Sequence, residues 1–387
     1  LAAGLVERGH DVTVLTGLPN YPGGELFVGY TWFSTLKEEY KGVEIRRVPI
    51  ITRGKSSGWR LLVNYISYAA SATLLGWLHC RCKYDAILVF QLSPVTIGVP
   101  GIFLRWIKKI PLLFWVQDLW PDSLIATRSI RSRPIIYMVR SLVRFLYKHS
   151  DKVLVQSEAF RDKVIRDGAS ADDVLYFPNF AETLYNPVTP LDDAPERKEV
   201  PDGFCVMFAG NIGEAQAFDT IVAAANKLRD EKEIKWVILG DGRRKDWLEA
   251  KIVELELQDR FFLLGRRAVN TMPIYFSLAD VMLVSLRKEP IFALTIPSKV
   301  QSYLACAKPI VASLDGEGAR VIEQAGAGLT APAGDVDGLA EAVRLIYQKT
   351  EEKRKKMGLC GLDYFNLNFE RELQISRLEA WLDEIGK

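Results

Sequence analysis

The chain has 387 residues, 49% hydrophobic and 25% charged, with a net charge of +2. That length exceeds what a single core sustains, so two domains are expected, and the composition excludes a disordered or fibrous chain. Five cysteines (Cys80, Cys82, Cys205, Cys306, Cys360) form no CxxC pair and leave an odd thiol, and three histidines (His10, His79, His149) have no ligand spacing; a reducing compartment is expected, and neither a disulfide scaffold nor a His/Cys metal centre.

The opening LAAGLVERGH reads as the last turns of an amphipathic helix ending at Gly9, followed by a strand over 11–16. A first strand and its loop are therefore expected to be missing ahead of it, and no signal peptide is recognised. Strand-like apolar runs recur at 43–50, 85–90, 111–117, 152–156 and 173–177 with helical or loop material between them, which implies a parallel sheet covered on both faces. The loop Gly17 to Tyr30 contains Pro19-Asn20-Tyr21-Pro22-Gly23-Gly24, too many turn residues for filler, and is expected at the rim of a cleft. Leu61 to Leu78 is mostly apolar and reaches the lower limit for a membrane span, but Asn64, Ser67, Ser71 and Thr73 interrupt it. A buried or peripherally inserted helix is expected rather than a span.

From Gly101 to Ser150 nine basic residues (at 105, 108, 109, 128, 131, 133, 140, 144 and 148) face two aspartates, Asp118 and Asp122, so one face of the first half is basic. Within it, PIIYMVRSLVRFLYKH (134–149) repeats Arg140, Arg144 and Lys148 every four residues among apolar positions. This is a helix suited to anionic lipid, or equally a core helix with a solvated arginine stripe. No groove-binding or single-strand motif accompanies the charge, so nucleic acid is not an expected partner. The strand 112–117 ends in Asp118-Leu119-Trp120-Pro121-Asp122, where Asp118 is either a cleft carboxylate for chemistry or a sugar hydroxyl, or a helix cap.

Between Phe177 and Gly203 the composition shifts to Pro, Asp, Glu and Lys, as a linker requires. The expected division is a first domain over 1–183, a linker over 184–203, a second domain over 204–365, and a C-terminal helix over 366–387 crossing back to the first domain. In the second domain three strands in turn leave through small residues: 204–209 into Gly210-Asn211-Ile212-Gly213, 235–239 into Gly240-Asp241-Gly242, and 261–264 into Gly265-Arg266-Arg267. A strand, a glycine turn and a helix N-terminus can cradle a phosphate. Further strands are expected near 280–285 and 309–312. Before the last of these, Thr295, Pro297 and Ser298 mark a helix start with Lys299 in its first turn, the unfavourable end for a cation unless an anion sits between them. That stretch is an anion site or an ordinary helix–strand connection. A dinucleotide-dependent oxidoreductase is excluded, since no GxGxxG follows a strand with an acidic residue about twenty positions on.

FAGNIGEAQAFDTIVAAA, ILGDG, FLLGRRAVNTMPIYFSLADVMLVSL and IPSKVQSYLACAKPIVASLDGEGA resemble the C-terminal domain of the family 4 retaining glycosyltransferases, and LVERGHDVTVLTGLPNYPGG with FWVQDLWPDSL resembles the N-terminal domain of its bacterial O-antigen, capsule and exopolysaccharide branch. The resemblance covers nearly the whole chain. It implies an α/β fold of two Rossmann-like domains with parallel sheets facing a cleft (GT-B), a nucleotide-sugar donor, UDP by family habit, in the second domain, and a lipid-linked saccharide acceptor at the first. It also implies metal-independent transfer without a cofactor; the basic helix and the apolar 61–78 segment add the expectation of peripheral attachment to the anionic, cytoplasmic face of the membrane.

Carried onto this sequence, the resemblance sets the Gly210–Gly213 backbone against the diphosphate, Arg266 beside the base, Lys299 as the leaving group's counter-charge in place of a metal, and Asp118, preceded by Gln117 where relatives carry His, as the acceptor-side carboxylate. Asp118 and Lys299 are the expected catalytic residues, and Asn211, Gln216, Gly240, Gly242, Ser298, Ser302 and Glu317 complete the expected donor contacts. The sequence departs from the family where Asn211 and Gln216 stand for an Arg and a Lys, and where Ala293 or Leu294 and Ser302 stand for two Glu; Glu289 and Glu317 are the acidic residues nearby. An inert nucleotide-sugar-binding subunit that supports a partner is the alternative those departures raise.

Overall fold

The computed structural model describes residues 1–21, 23–32, 37–54, 58–126 and 132–386. Pro22 of the proline-rich loop, and Arg128 and Arg131 of the basic run, lie outside the described residues. The chain forms two compact units, Leu1–Phe177 with Gln374–Lys387, and Pro178–Leu373.

The first unit contains two sheets. Strands β1 (Thr13–Gly17), β2 (Lys37–Tyr40) and β3 (Val43–Val48) are ordered β1-β3-β2, with β1 parallel and β2 antiparallel to β3. The β2–β3 hairpin turns through Lys41 and Gly42, both at positive φ (50° and 75°), the two-residue turn whose twist suits paired strands. Strands β4 (Ile87–Gln91), β5 (Leu112–Val116), β6 (Lys152–Val155) and β7 (Val174–Tyr176) pair in chain order, all parallel. Every residue of β5 is buried, as a strand covered on both faces requires. The alternation of strands with helices thus sets their direction but not one continuous ladder, because which edges meet is a non-local matter; β1 and β4 do not pair.

The helix Gly58–His79 has its polar residues turned inwards. Asn64 Nδ2 donates to Ile51 O (2.6 Å), Ser67 Oγ accepts from Ile51 N (2.9 Å), and Tyr68 OH donates to Leu15 O (3.3 Å). Trp59, Leu62, Ile66, Leu74 and Trp77 are exposed, and only 17% of the helix's most apolar stretch is buried. Of the two expected arrangements this one excludes the buried helix: among the residues that interrupt the apolar run, Asn64 and Ser67 bond to the unit, while Thr73 Oγ1 donates back to Ala69 O within the helix. The C-terminal helix Arg371–Ile385 belongs to this first unit from Gln374 on; there Glu379 pairs with Arg8 and with His10 Nε2 (2.9 Å) and Trp381 meets Phe177 edge-on at 5.7 Å.

In the second unit six parallel strands, β8 (Phe204–Ala209), β9 (Ile234–Leu239), β10 (Phe261–Gly265), β11 (Val281–Ser285), β12 (Ile310–Ser313) and β13 (Gly328–Ala331), are ordered β10-β9-β8-β11-β12-β13. Their near-continuous apolar runs, FCVMFA and VMLVS, are buried because helices cover both faces. The β13 strand extends the sheet past the strands read from sequence; GLTA is short and opens on a glycine, and a Cβ there would lie 1.8 Å from Ile310 O. The chain winds outwards from β8 in one direction and from β11 in the other. The C-terminal ends of these two neighbours therefore form the switch point where open α/β sheets bind ligands.

Candidate active site

Two glycine loops meet at the ends of β8 and β9. Gly210 N donates to Leu239 O (2.8 Å), Ile212 N to Asp241 O (2.9 Å) and Arg244 N to Ile212 O (3.1 Å). Gly210 and Gly240 hold φ of +145° and +147°, and a Cβ on Gly240 would lie 1.8 Å from Gly210 O, one on Gly242 2.3 Å from Ile212 O. Only glycine allows this approach. Gly240 and Gly242 thus shape the loop Gly210–Gly213 by packing on its backbone. At Gly213 a Cβ would meet a side chain instead, the Asn211 amide nitrogen at 2.4 Å, so that glycine is less constrained.

Onto this cradle the helix Ser298–Ala305 brings Lys299. Pro297 is its N-cap residue, and Tyr303, wholly buried, fastens it to the end of β8 by accepting from Ala209 N (3.1 Å) and donating to Ala209 O (3.3 Å). Lys299 Nζ donates to Gln216 Oε1 (2.7 Å), lies 3.8 Å from the centre of the Phe208 ring, and stands 3.2 Å from where a Gly210 Cβ would be. Burial pushes its pKa down to about 7, and its hydrogen-bond acceptor Gln216, being neutral, supplies no charge to offset this. Lys299 is therefore a partly buried cation in a prepared position, not the exposed lysine of an ordinary helix start.

Gly210, Asn211, Gly213, Gln216, Gly240, Gly242 and Lys299 come together here. Ser298 and Ser302 lie one turn apart on the same helix, with Ser302 Oγ donating to Ser298 O (3.4 Å). Arg266 leaves β10 largely exposed, 4.0 Å from Asp241, while its neighbour Arg267 is tied to Glu199 (2.7 Å) and Tyr275 (3.0 Å). Glu317 starts the helix Glu317–Gln324 and is occupied by Arg320 (2.8 Å). Glu289 holds the N-cap position of the short helix Pro290–Ala293 without a capping bond from its side chain. Asp118 lies in the first unit beyond β5, accepts from Trp120 Nε1 (3.0 Å), and has its carboxyl raised above the usual range by burial, against bonds from Ser123, Trp120 and the Leu119 backbone. Phe208 and Tyr303, which seat and fasten Lys299, read from sequence only as apolar strand and helix positions, where only their partners distinguish them from core.

Comparison with known proteins agrees with this fold. Residues 203–349 match the family described as glycosyl transferases group 1, and residues 1–179 the glycosyl transferase 4-like domain. The chain belongs to the family 4, or group 1, glycosyltransferases. It is an enzyme of the retaining, GT-B kind. Among its relatives are WcaI of Escherichia coli K12, named as a colanic acid biosynthesis glycosyl transferase (26% identical over 315 residues, 78% of this chain and 74% of that protein), and the glycosyltransferase WbjE of Pseudomonas aeruginosa (26% over 312 residues, 78% and 76%). Among solved structures, a sucrose-phosphate synthase from Thermosynechococcus elongatus superposes with a TM-score of 0.76 at 18% identity, covering 99% of this chain and 92% of that one. HepE from Anabaena, in complex with UDP and glucose, gives 0.69 at 16%, covering 97% and 100%.

Proposed function

We propose that this glycosyltransferase moves a sugar from a UDP-sugar to a lipid-linked saccharide in the synthesis of a bacterial surface polysaccharide, working at the cytoplasmic face of the membrane. The observation that carries the donor half is the placement of Lys299 Nζ over Phe208 and beside Gly210. A cation held there, next to the backbone of Gly210–Gly213, meets a diphosphate as its bond to the sugar breaks. Retention then needs the acceptor hydroxyl to attack from the side the diphosphate leaves, with no protein nucleophile. Arg266, largely exposed beyond β10, is the side chain this reading sets beside the base. The Asp118 carboxyl, raised by burial, is the acceptor-side group. UDP is favoured because HepE binds it, and a surface polysaccharide because of the role named for WcaI.

The membrane half rests on the helix Gly58–His79, polar side bonded inwards and apolar side outwards, long and apolar enough to cross a membrane by length and composition. The helix Arg133–Lys148 adds exposed Ile135, Tyr137, Met138 and Phe145 among Arg140, Arg144 and Lys148. Such surfaces bind anionic bilayers by apolar insertion and charge together. Binding of UDP by calorimetry, radiolabel transfer from UDP-sugars to a polyprenyl-diphosphate saccharide, and sedimentation with vesicles containing anionic lipid test the three parts. UDP binding, transfer and co-sedimentation are expected. GDP binding in its place would overturn the nucleotide, and protein left in the supernatant at low salt would overturn the membrane.

A further inference from the structure

The phosphate loop has no cation of its own: Asn211 and Gln216 are neutral, and its one charged residue, Glu214, is acidic. Two arginines converge on Glu214. Arg244 lies 3.4 Å away, but its guanidinium is committed elsewhere, bonded to Asp219 by two contacts (2.8 and 3.2 Å) and stacked 3.7 Å from the centre of the Trp247 ring. Arg287 is different. Among the described residues its guanidinium has one carboxylate partner, Glu214 at 3.0 Å, and both side chains are well exposed. Its backbone is nevertheless pinned to the loop, with Arg287 N donating to Ala215 O (2.9 Å). Arg287 leaves the C-terminal end of β11, the strand beside β8 in the sheet.

We propose that Arg287 is the second cation for the donor diphosphate, parked on Glu214 until the nucleotide arrives. This rests on the donor site proposed above. An exposed ion pair contributes little in water, so its exchange for a diphosphate costs little, and a guanidinium fork suits phosphate oxygens. Glu214 keeps Arg244 when Arg287 leaves. Glu214 thereby sets donor affinity by competing for the arginine, and Arg287 supplies the charge that Asn211 and Gln216 lack.

The test is calorimetric titration of the full chain with UDP and with UMP. Arg287→Gln is expected to weaken UDP about tenfold and UMP less than about threefold, the loss of one charge-assisted contact to the outer phosphate. Glu214→Gln, which frees Arg287, is expected to tighten UDP about threefold. Arg287→Lys, which keeps the charge without the fork, should fall between wild type and Arg287→Gln, and it decides the matter if the Gln variant does not fold. Unchanged UDP binding in the Arg287 variants, or equal losses for UDP and UMP, would overturn the assignment of Arg287. Wild-type protein that binds neither UDP nor GDP would instead overturn the donor site beneath it.

Discussion

Raising the pH from 7 to 9 is expected to weaken UDP binding about fifty-fold, and the reason lies in Lys299. Its pKa stands at about 7 in the folded chain against an ordinary 10.5, through burial beside a neutral acceptor. In the free protein about half of the molecules carry this charge at pH 7 and about one in a hundred at pH 9. A bound diphosphate supplies the opposite charge and restores the ordinary value, so the complex stays protonated throughout this range. Affinity therefore falls by the factor 1 + 10^(pH − pKa), about 2 at pH 7 and about 100 at pH 9. UDP itself loses its last phosphate proton near pH 6, below this window. Calorimetry in two buffers of different ionisation enthalpy should show uptake of about 0.9 proton per UDP at pH 8. A dissociation constant flat from pH 7 to 9, without proton uptake, would mean that Lys299 is already charged in the free protein or does not meet the diphosphate. The sign for stability follows from the same shift: the folded value lies below the unfolded one, so the unfolded chain holds more protons between pH 7 and 10.5 and native stability rises with pH across that window.

Lys299→Met should separate stability from activity, raising the melting temperature at pH 7 by about 3 °C as a desolvated charge is removed, while lowering transfer about 100-fold or more; parallel loss of both in melting and turnover assays would contradict this. The glycines provide a matched pair. Gly240→Ala forces a Cβ to within 1.8 Å of Gly210 O at a φ of +147° and should destabilise by about 3 kcal/mol or more, whereas Gly213→Ala meets only the movable amide of Asn211 and should cost about 1 kcal/mol or less, both read by denaturant titration. Equal effects would show that the two loops do not depend on close backbone approach.

The sequence carried the strands well because a buried parallel strand is a local signal. FCVMFA and LLFWV are apolar at nearly every position, and β8 and β5 follow them. The β2 strand, KEEY, is mostly exposed and charged, and nothing but the Lys41-Gly42 turn announces it. For the site, glycines and Lys299 were legible as types in a setting: small residues after strands, a cation in a first helical turn. Their mutual fit was not, since Tyr303 on Ala209 spans 94 residues and Lys299 on Gln216 spans 83. The helix Gly58–His79 shows a third kind of limit. Its composition reads alike whether the polar or the apolar side faces inwards, and only the bonds of Asn64 and Ser67 to Ile51 decide it.

The departures from the family pattern form a connected set. A lysine at 216, where the resemblance implies one, would put a second ammonium within about 3 Å of Lys299 Nζ in a site that already depresses one lysine's pKa to about 7. Two such cations cannot both stay charged there without an anion present. Gln216 avoids that conflict and gives Lys299 an acceptor, so a neutral phosphate loop and a lysine on the neighbouring helix are two halves of one arrangement. The positive charge has moved from a loop to a helix fastened to β8 through Tyr303, where its position is fixed by packing before any donor binds.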